Sequence, residues 1–363
     1  MPPSRSAGAG AFAVRIKLHP SGTVARRVAR VPPMHKLQFH GVALAALITA
    51  LVVPAAAGAQ APPPPKAANG QAVKTLAQGV PTPTEFAFFK KNVFVGAYGP
   101  EDGSGGGVYR VRRGKAKRIR SSGKTVSGIA WRKGKLYVAS GPKIFTMSRW
   151  NGRRFLRKKT IYTAPAGFSG FTGLAFGPDR RLYSGVGLND QTDQGPDTGP
   201  FARSVVSMTA RGKDIKTVAT GLRQPWQLTF VRGNPNPFVS VLADERAPTP
   251  PDWIVNAKPG DNYGYPTCTQ AVKKDCKGFA KPVALLADHA SPMGISPIGQ
   301  TLYVALFGGR GKGPEVVSMN TAGKQIKTFL SGYAAPVLAV GTRRGNVYTG
   351  DLTGAIYRVK AAG

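Results

Sequence analysis

The sequence predicts an all-β protein built as a six-bladed β-propeller, and three observations support this fold class. The 363 residues include 46 Gly and 31 Pro, a turn-rich composition typical of many short strands. A unit of three predicted strands recurs six times, with starts separated by 43, 45, 54, 67 and 43 residues. A predicted outer strand also stands ahead of the first unit and is missing from the last one. Together these features predict a closed ring of small sheets.

Each unit begins with a short apolar strand, continues through a turn into a second strand, and ends with a third. The six opening strands are TEFAF (84–88), SGIAW (127–131), TGLAF (172–176), WQLTF (226–230), MGISP (293–297) and PVLAV (336–340). Aromatic and β-branched residues alternate in them between Gly, Asn and Asp turns, which is the pattern of strands.

A fourth, outer strand explains how the ring closes. It is visible as IKTVATGL (215–222) and IKTFLSGY (326–333), and a similar string, VKTLAQGV (73–80), precedes the first unit. The last unit ends after AIYRVKAAG without such a strand. We therefore expect residues 73–80 to complete the last blade, which removes two open sheet edges. Two stacked β-sandwiches, the rival architecture, would not predict this displaced strand.

The first seventy residues are not expected to belong to the propeller. No Asp or Glu precedes Glu85. Residues 1–33 are Arg-rich and patternless, and we interpret them as a disordered extension ahead of the true start. Residues 34–59 have the layout of a signal peptide, with an uncleaved anchor as the alternative. A Pro-rich linker over 60–70 and a propeller over 71–363 complete the predicted organisation, and the protein is expected to be secreted, periplasmic or associated with the cell wall.

Export bears on the two cysteines, Cys268 and Cys276. They lie eight positions apart in a Lys-rich loop. In an oxidising compartment two nearby cysteines are expected to pair. A metal site would need further ligands, and no His is near in sequence.

The charge balance is strongly basic, with 51 Lys and Arg against 16 Asp and Glu, a formal charge of +35. Residues 1–59 hold seven of these cations and no acid, so the remainder carries 35 − 7 = +28. No nucleic-acid-binding motif accompanies the basic runs. For an exported chain we expect attraction to an anionic cell-wall polymer or a lipid surface, with a merely solvated basic surface as the alternative.

The channel mouth at which the inner strands begin is the expected ligand site. The residue before each inner apolar core is Glu85, Gly128, Gly173, Gln227, Gly294 or Leu338. Three glycines in this set are expected to leave space for a flat ligand, or else to form tight turns. Long connections over 184–203 and 241–290 are expected to cover this end of the ring.

Two stretches resemble the glucose/sorbosone dehydrogenase family, namely GLRQPWQLTF (221–230) and ADERAPTPPDWIVNAKPGDNYGYPTC (243–268). FTGLAFGPDRRLYSGVG (171–187) and HASPMGIS (289–296) are similar to two further family stretches. The resemblance implies an exported six-bladed propeller that oxidises a sugar or alcohol, with pyrroloquinoline quinone (PQQ) and Ca²⁺ as cofactors.

The same resemblance implies roles for individual residues. Ser169 stands at the position of the family's general base, and Asp252 at that of a site carboxylate. Arg223 and Gln224 match the pair that contacts the quinone, and Gln227 and Trp226 are added as cofactor-binding candidates, Trp226 as a stacking platform. The backbone carbonyls of Ala247 and Pro248 match a calcium position.

The departures from the family pattern leave three functions open. The base His is replaced by Ser169, and the Arg pair that clamps the quinone falls at Ala335 and Val337. A hydroxyl cannot act as a base near neutral pH without a partner. The chain is therefore an active quinoprotein, a non-catalytic binder of carbohydrate or cell wall, or a calcium-dependent lactonase with Glu85 as a metal ligand.

Overall fold

The structure, a computed structural model, describes residues 62–100, 104–119, 122–188, 199–243, 250–311 and 313–361. Within these ranges the chain forms 25 β-strands and one short 3-10 helix, Lys273–Cys276. The predicted extension and signal peptide lie outside them. No helix in the described ranges has the length and apolar character needed to cross a membrane.

The described strands form six small antiparallel sheets, which are the blades of a six-bladed propeller and confirm the predicted fold class. Blade 1 contains β3 (Pro83–Phe89), β4 (Asn92–Ala97), β5 (Gly107–Arg112) and β6 (Lys115–Ile119). Blade 2 contains β7 (Gly128–Arg132), β8 (Lys135–Ser140), β9 (Lys143–Trp150) and β10 (Phe155–Thr163). Blade 3 contains β11 (Phe171–Phe176), β12 (Leu182–Val186), β13 (Ser204–Met208) and β14 (Lys216–Ala219).

The second half of the ring follows the same order from the inner to the outer strand. Blade 4 contains β15 (Gln224–Thr229), β16 (Phe238–Leu242), β17 (Trp253–Asn256) and β18 (Ala284–Leu285). Blade 5 contains β19 (Pro292–Ile298), β20 (Thr301–Leu306), β21 (Glu315–Asn320), β22 (Lys327–Ser331) and, added at its outer edge, β1 (Lys66–Ala67). Blade 6 contains β23 (Val337–Arg343), β24 (Asn346–Asp351), β25 (Ile356–Lys360) and β2 (Lys74–Ala77).

The N-terminal segment closes the ring as predicted. β2 pairs antiparallel with β25, with Lys74 opposite Arg358 and Thr75 opposite Tyr357. The stretch expected to be a linker adds a second closure, because β1 pairs with β22 of blade 5. Two strands from the start of the described chain therefore cover the outer edges of the last two blades, where unpaired backbone groups would otherwise be exposed.

Hydroxyl groups at the starts of inner strands connect successive blades. Each donates a hydrogen bond to a backbone carbonyl of the next blade: Thr84 to Val126 (2.9 Å), Ser127 to Phe171 (2.6 Å), and Thr172 to Pro225 (2.9 Å). The innermost strand is a sheet edge with no neighbouring strand on the channel side, so its backbone groups need side-chain partners. These bonds supply them.

The three glycines of the inner strands do not leave space for a ligand, which corrects the expectation from sequence. A Cβ built on Gly128 would lie 2.4 Å from the Thr172 carbonyl oxygen, and one on Gly294 would lie 2.3 Å from the Val340 nitrogen. None of the three has a positive φ, so they do not serve as turn residues either. They allow neighbouring inner strands to approach closely. Leu338, expected at the mouth, is fully buried in the apolar core.

The two ends of the ring differ in what they carry. Because strands within a blade alternate in direction, the hairpin turns after first and third strands lie at one end, which we call the turn face. The connections after second strands, and those between blades, begin at the other end, which we call the loop face. Inner strands begin at the loop face, where the family-like residues are found.

Candidate functional site

Glu85 lies at the centre of the ring and joins three blades. Its Oε2 accepts hydrogen bonds from the backbone N–H of Ile129 (2.6 Å, blade 2) and Leu174 (3.0 Å, blade 3). Burial raises the pKa of the Glu85 carboxyl well above its usual value, and these two bonds lower it only in part. Burial therefore favours the protonated form of Glu85, and its Oε2 joins inner strand edges that lack a neighbouring strand.

Gln227 completes this central layer. Its Nε2 donates to the Thr84 carbonyl across the channel, and its backbone N–H donates to Ser240 Oγ (3.1 Å). On the turn-face side of the layer lies a cavity of about 300 Å³, bordered by Glu85 and by polar side chains that include Ser296 and Thr342. The central channel is thus divided by its own side chains.

Asp252 connects blade 4 to blade 5 through hydrogen bonds at the loop face. Its Oδ1 accepts from the N–H of Ala243 (2.7 Å), and its Oδ2 accepts from the N–H of Ser291 (2.6 Å). Burial raises its pKa to about 6, against the lowering effect of these two bonds and of the charges of His289 and Arg223. Both oxygens of this carboxylate are engaged by backbone groups, so Asp252 has a structural task beside any chemical one.

Arg223 forms a hydrogen bond with the same loop-face residue, Ala243. Its guanidinium donates to the Ala243 carbonyl (2.7 Å), and only 9% of the residue is exposed. Both side chains thus bind Ala243, just after β16: Arg223 donates to its carbonyl, and Asp252 accepts from its N–H. The two side chains stand twenty-nine positions apart in the sequence, and the fold brings them to one point.

Gln224 and Ser169 meet at a neighbouring point of the loop face, on either side of Gly187. Ser169 Oγ donates to the Gly187 carbonyl (3.0 Å). Gln224 Oε1 is buried and has no hydrogen-bond partner among the described residues, and a Cβ on Gly187 would lie 2.0 Å from it. The position of the family base therefore holds a hydroxyl that faces a carbonyl oxygen, beside an amide oxygen that lacks a donor in the described chain.

Trp226, expected to be a stacking platform, is 8% exposed and packs in the apolar core with Met293 and Leu338. In this position its indole ring contacts other blades, and little of its surface is open to a ligand.

The cysteine pairing is confirmed. Cys268 and Cys276 form a disulfide, with their Cα atoms 4.7 Å apart. The bond closes a loop that follows the segment Asn262–Tyr265. In that segment Tyr263 N–H donates to the Thr220 carbonyl (3.0 Å), and the Arg203 guanidinium lies 4.8 Å from the centre of the Tyr265 ring.

Several residues of this face were missed by reasoning from the sequence. Ala243, Ser291 and Gly187 contribute through backbone atoms, which no residue type reveals. Arg203 and Tyr265 could have been found, because Tyr265 belongs to the family-like string NYGYP. A cationic guanidinium over an aromatic face is a favourable contact, but the partner is sixty-two residues away in sequence.

The calcium candidates Ala247 and Pro248 lie outside the described residues. Within the described ranges no cluster of three or more His, Cys, Asp or Glu side chains could hold a metal ion. Glu85, the lactonase candidate, already uses Oε2 to accept two backbone N–H groups.

The described residues do not fit PQQ. A flat tricarboxylate needs a slot for its rings and several cations for its carboxylates. At the inner-strand glycines even a methyl group would clash with the adjacent strand. The Arg223 guanidinium already donates a hydrogen bond to a backbone carbonyl. The two positions at which the family resemblance would place arginines for the quinone carboxylates are Ala335 and Val337.

Comparison with solved structures supports the fold. The chain is similar to the PQQ-bound aldose sugar dehydrogenase of Streptomyces coelicolor, at 22% identity and a TM-score of 0.63, over 80% of this chain and 98% of that one. It is also similar to a proposed oxidoreductase (glucose dehydrogenase) of Thermus thermophilus, at 18% identity and a TM-score of 0.64, over 80% and 100% of the two chains.

A third similar structure is a glucose dehydrogenase at 16% identity and a TM-score of 0.61, over 80% of this chain and 99% of that one. No family model matches the chain, and no curated protein matches it. At these identities the likeness is one of fold: the chain has the six-bladed propeller architecture of sugar dehydrogenases.

Proposed function

We propose that the chain is an exported propeller of the glucose/sorbosone dehydrogenase type that binds a sugar or alcohol at its loop face without oxidising it. The main support for this proposal is that the buried amide oxygen of Gln224 has no hydrogen-bond donor among the described residues. Ser169, Arg223 and Asp252 lie on the same face. An unpartnered buried acceptor costs free energy that a ligand hydroxyl would recover. An amide that accepts from a hydroxyl is a typical element of sugar recognition.

Loss of oxidation is supported by what the neighbouring groups already do. The Ser169 hydroxyl donates a hydrogen bond to the Gly187 carbonyl, and both oxygens of Asp252 accept hydrogen bonds from backbone N–H groups. A general base must have a free lone pair within reach of the substrate proton. An uncharged hydroxyl such as that of Ser169 is a weak base, and the N–H groups of Ala243 and Ser291 lower the basicity of Asp252 by stabilising its charged form.

The test is calorimetric titration of the purified protein with a panel of aldoses and polyols. We expect saturable binding to at least one compound, reduced about tenfold in Gln224→Ala, the loss of one hydrogen bond to a buried amide. The matched control is Gln300→Ala, at an exposed glutamine of the turn face. Equal affinity of Gln224→Ala and the parent protein would contradict the proposal.

A second candidate function, quinoprotein oxidation of sugars, is favoured by the likeness to sugar dehydrogenases over nearly their full length. Dye reduction by the protein incubated with PQQ, Ca²⁺ and the same panel tests it. Reduction above that of the free quinone would favour this candidate over the binding protein.

A further inference from the structure

The turn face carries most of its charge in one sign. Leaving aside the long connection 257–283, the described hairpin turns of the six blades contain thirteen Lys or Arg and two Asp. The cations are Lys90, Lys91, Arg113, Lys133, Arg153, Arg154, Arg180, Arg181, Arg211, Lys213, Arg232, Lys324 and Arg344. Asp214 pairs with Arg181 at 2.8 Å and thereby neutralises one of them. A positive potential therefore covers this end of the ring.

Where the first and last blades meet, the cations border a groove. A cavity of about 500 Å³ lies between β3–β5 of blade 1 and β2 and β23–β25 of blade 6. It continues past Thr75, Leu76 and Gly114 into a second open cavity of about 540 Å³. Eight cations border the combined groove, which we call the blade 1/6 groove: Lys90, Lys91, Arg112, Arg113, Lys115, Arg343, Arg344 and Arg358.

Among the described residues no acidic side chain borders this groove, and none of its eight cations forms an ion pair with a described Asp or Glu. Two are fixed by aromatic rings: the Lys90 ammonium lies 5.5 Å from the Phe89 ring centre, and the Arg343 guanidinium 5.6 Å from that of Phe88. Such a concentration of unneutralised like charge destabilises the folded chain unless an anion binds.

Three of these cations also occupy unfavourable backbone positions. Lys90, Arg113 and Arg344 have φ values of 51°, 50° and 48°. Residues in tight turns with positive φ are typically Gly, Asn or Asp, because other side chains are strained there. Each wall of the groove thus has a cation at a turn where an uncharged residue would be more stable. Cations with positive φ also stand at turns outside the groove, including Lys133 and Arg180, so this strain is shared by the turn face as a whole.

We propose that the blade 1/6 groove binds a linear phosphate polymer. Guanidinium groups stand on both walls, with Arg112 and Arg113 on one and Arg344 and Arg358 on the other. Each inner unit of a linear phosphate polymer carries its charge on two non-bridging oxygens, whose tetrahedral arrangement lets them accept from guanidinium groups on both walls. A groove open along its length suits an extended chain with a charge on every unit.

Two other anionic partners fit the surface less well. Membrane binding usually adds apolar side chains to the cations, and the exposed large hydrophobic residues of the described chain, Leu156, Val272 and Leu285, do not border the groove. Single-stranded nucleic acid is bound by aromatic side chains that stack on bases. Tyr348, which borders the groove, is 8% exposed and offers no such platform.

The test uses the strained turns themselves. A groove variant, Lys90→Asn, Arg113→Asn, Arg344→Asn, removes three cations from the groove and places Asn where φ is positive. The matched control, Lys133→Asn, Arg149→Asn, Arg180→Asn, makes the same changes at three exposed positions with φ of 43°, 57° and 70° outside the groove. Binding of fluorescent polyphosphate is measured by anisotropy over a range of salt concentrations, and melting temperatures are recorded for every protein.

We expect both variants to melt at or above the temperature of the parent protein. The groove variant should bind polyphosphate about tenfold more weakly at low salt, with a salt-dependence slope reduced by about 2, whereas the control changes less than about twofold. Equal losses in the two variants would overturn the groove as the site. Binding as tight to polygalacturonate, to anionic vesicles or to oligo-dT as to polyphosphate would overturn the assignment of a phosphate polymer.

Discussion

Two buried carboxyl groups, Glu85 at the centre of the ring and Asp252 at the loop face, solve the same structural problem in different electrostatic surroundings. Each accepts two backbone N–H groups and joins different blades. Burial raises the pKa of both, and for Asp252 the nearby charges of His289 and Arg223 help to limit the rise to about 6. Burial therefore favours the neutral form of Glu85, whereas Asp252 changes its charge in a mildly acidic range.

The comparison shows why a carboxyl group in a family-like position is weak evidence for catalysis. Perturbed pKa values are found at active sites and also in structural networks. In both places here the hydrogen-bond partners are backbone groups of strand edges or loops, which would lose this acceptor if the carboxyl group moved toward a substrate.

The largest expected effect follows removal of the central acceptor. Glu85→Ala leaves the N–H groups of Ile129 and Leu174 buried without this acceptor and opens a cavity beside them. We expect the free energy of unfolding to fall by about 3–5 kcal/mol, measured by urea denaturation. A loss below about 1 kcal/mol would show that Glu85 does not hold the blades.

A smaller effect should appear as pH dependence from Asp252. Because its pKa in the folded chain is about 6, above the unfolded value, the folded chain keeps a proton that the unfolded chain has released. This contribution is complete below about pH 4 and is lost as the pH rises through about 6, at a cost of about 3 kcal/mol. Urea titrations of the parent protein and Asp252→Asn measure it.

The control for that experiment is the variant itself, since Asp252→Asn has no proton to release. Its stability should change less between pH 4 and 6 than that of the parent protein, by about 2 kcal/mol, although Asn replaces one of the two acceptors and lowers stability throughout. Parallel stability curves would mean that Asp252 does not titrate in this range.

The smallest expected effect is that of Glu85→Gln, which tests whether Glu85 is protonated in the folded chain at a pH where Asp252 is charged. Glu85→Gln keeps an acceptor oxygen for Ile129 and Leu174 and copies a protonated carboxyl group in shape. We expect a change in unfolding free energy of less than about 1 kcal/mol at pH 7. A loss as large as that of Glu85→Ala would mean that Glu85 is held as an anion.

The ring architecture could be predicted from the sequence because it rests on repetition. Six copies of an alternating strand pattern, with VKTLAQGV displaced to the start, specify both the number of blades and the closure by β2. The second closing strand, β1, was missed, because two residues of a Pro-rich stretch carry no periodic signal.

The site was harder to predict, for reasons visible at single residues. Glu85 was expected at the channel mouth as a metal ligand, whereas its acceptor role depends on backbone groups 44 and 89 positions away. Gly128 and Gly294 were expected to leave space for a ligand, although the missing Cβ makes room for a neighbouring strand. The sequence shows that these positions lack a side chain, but only the structure shows that backbone atoms of the neighbouring strands occupy the space.

We propose that the loop face of this propeller binds a sugar or alcohol beside Gln224, and that its described residues do not hold PQQ. Calorimetric titration of the purified protein with PQQ in the presence of Ca²⁺ tests it most directly. We expect no saturable heat, with sugar binding by the same preparation as the positive control. Stoichiometric PQQ binding that is weakened by Arg223→Ala would contradict it.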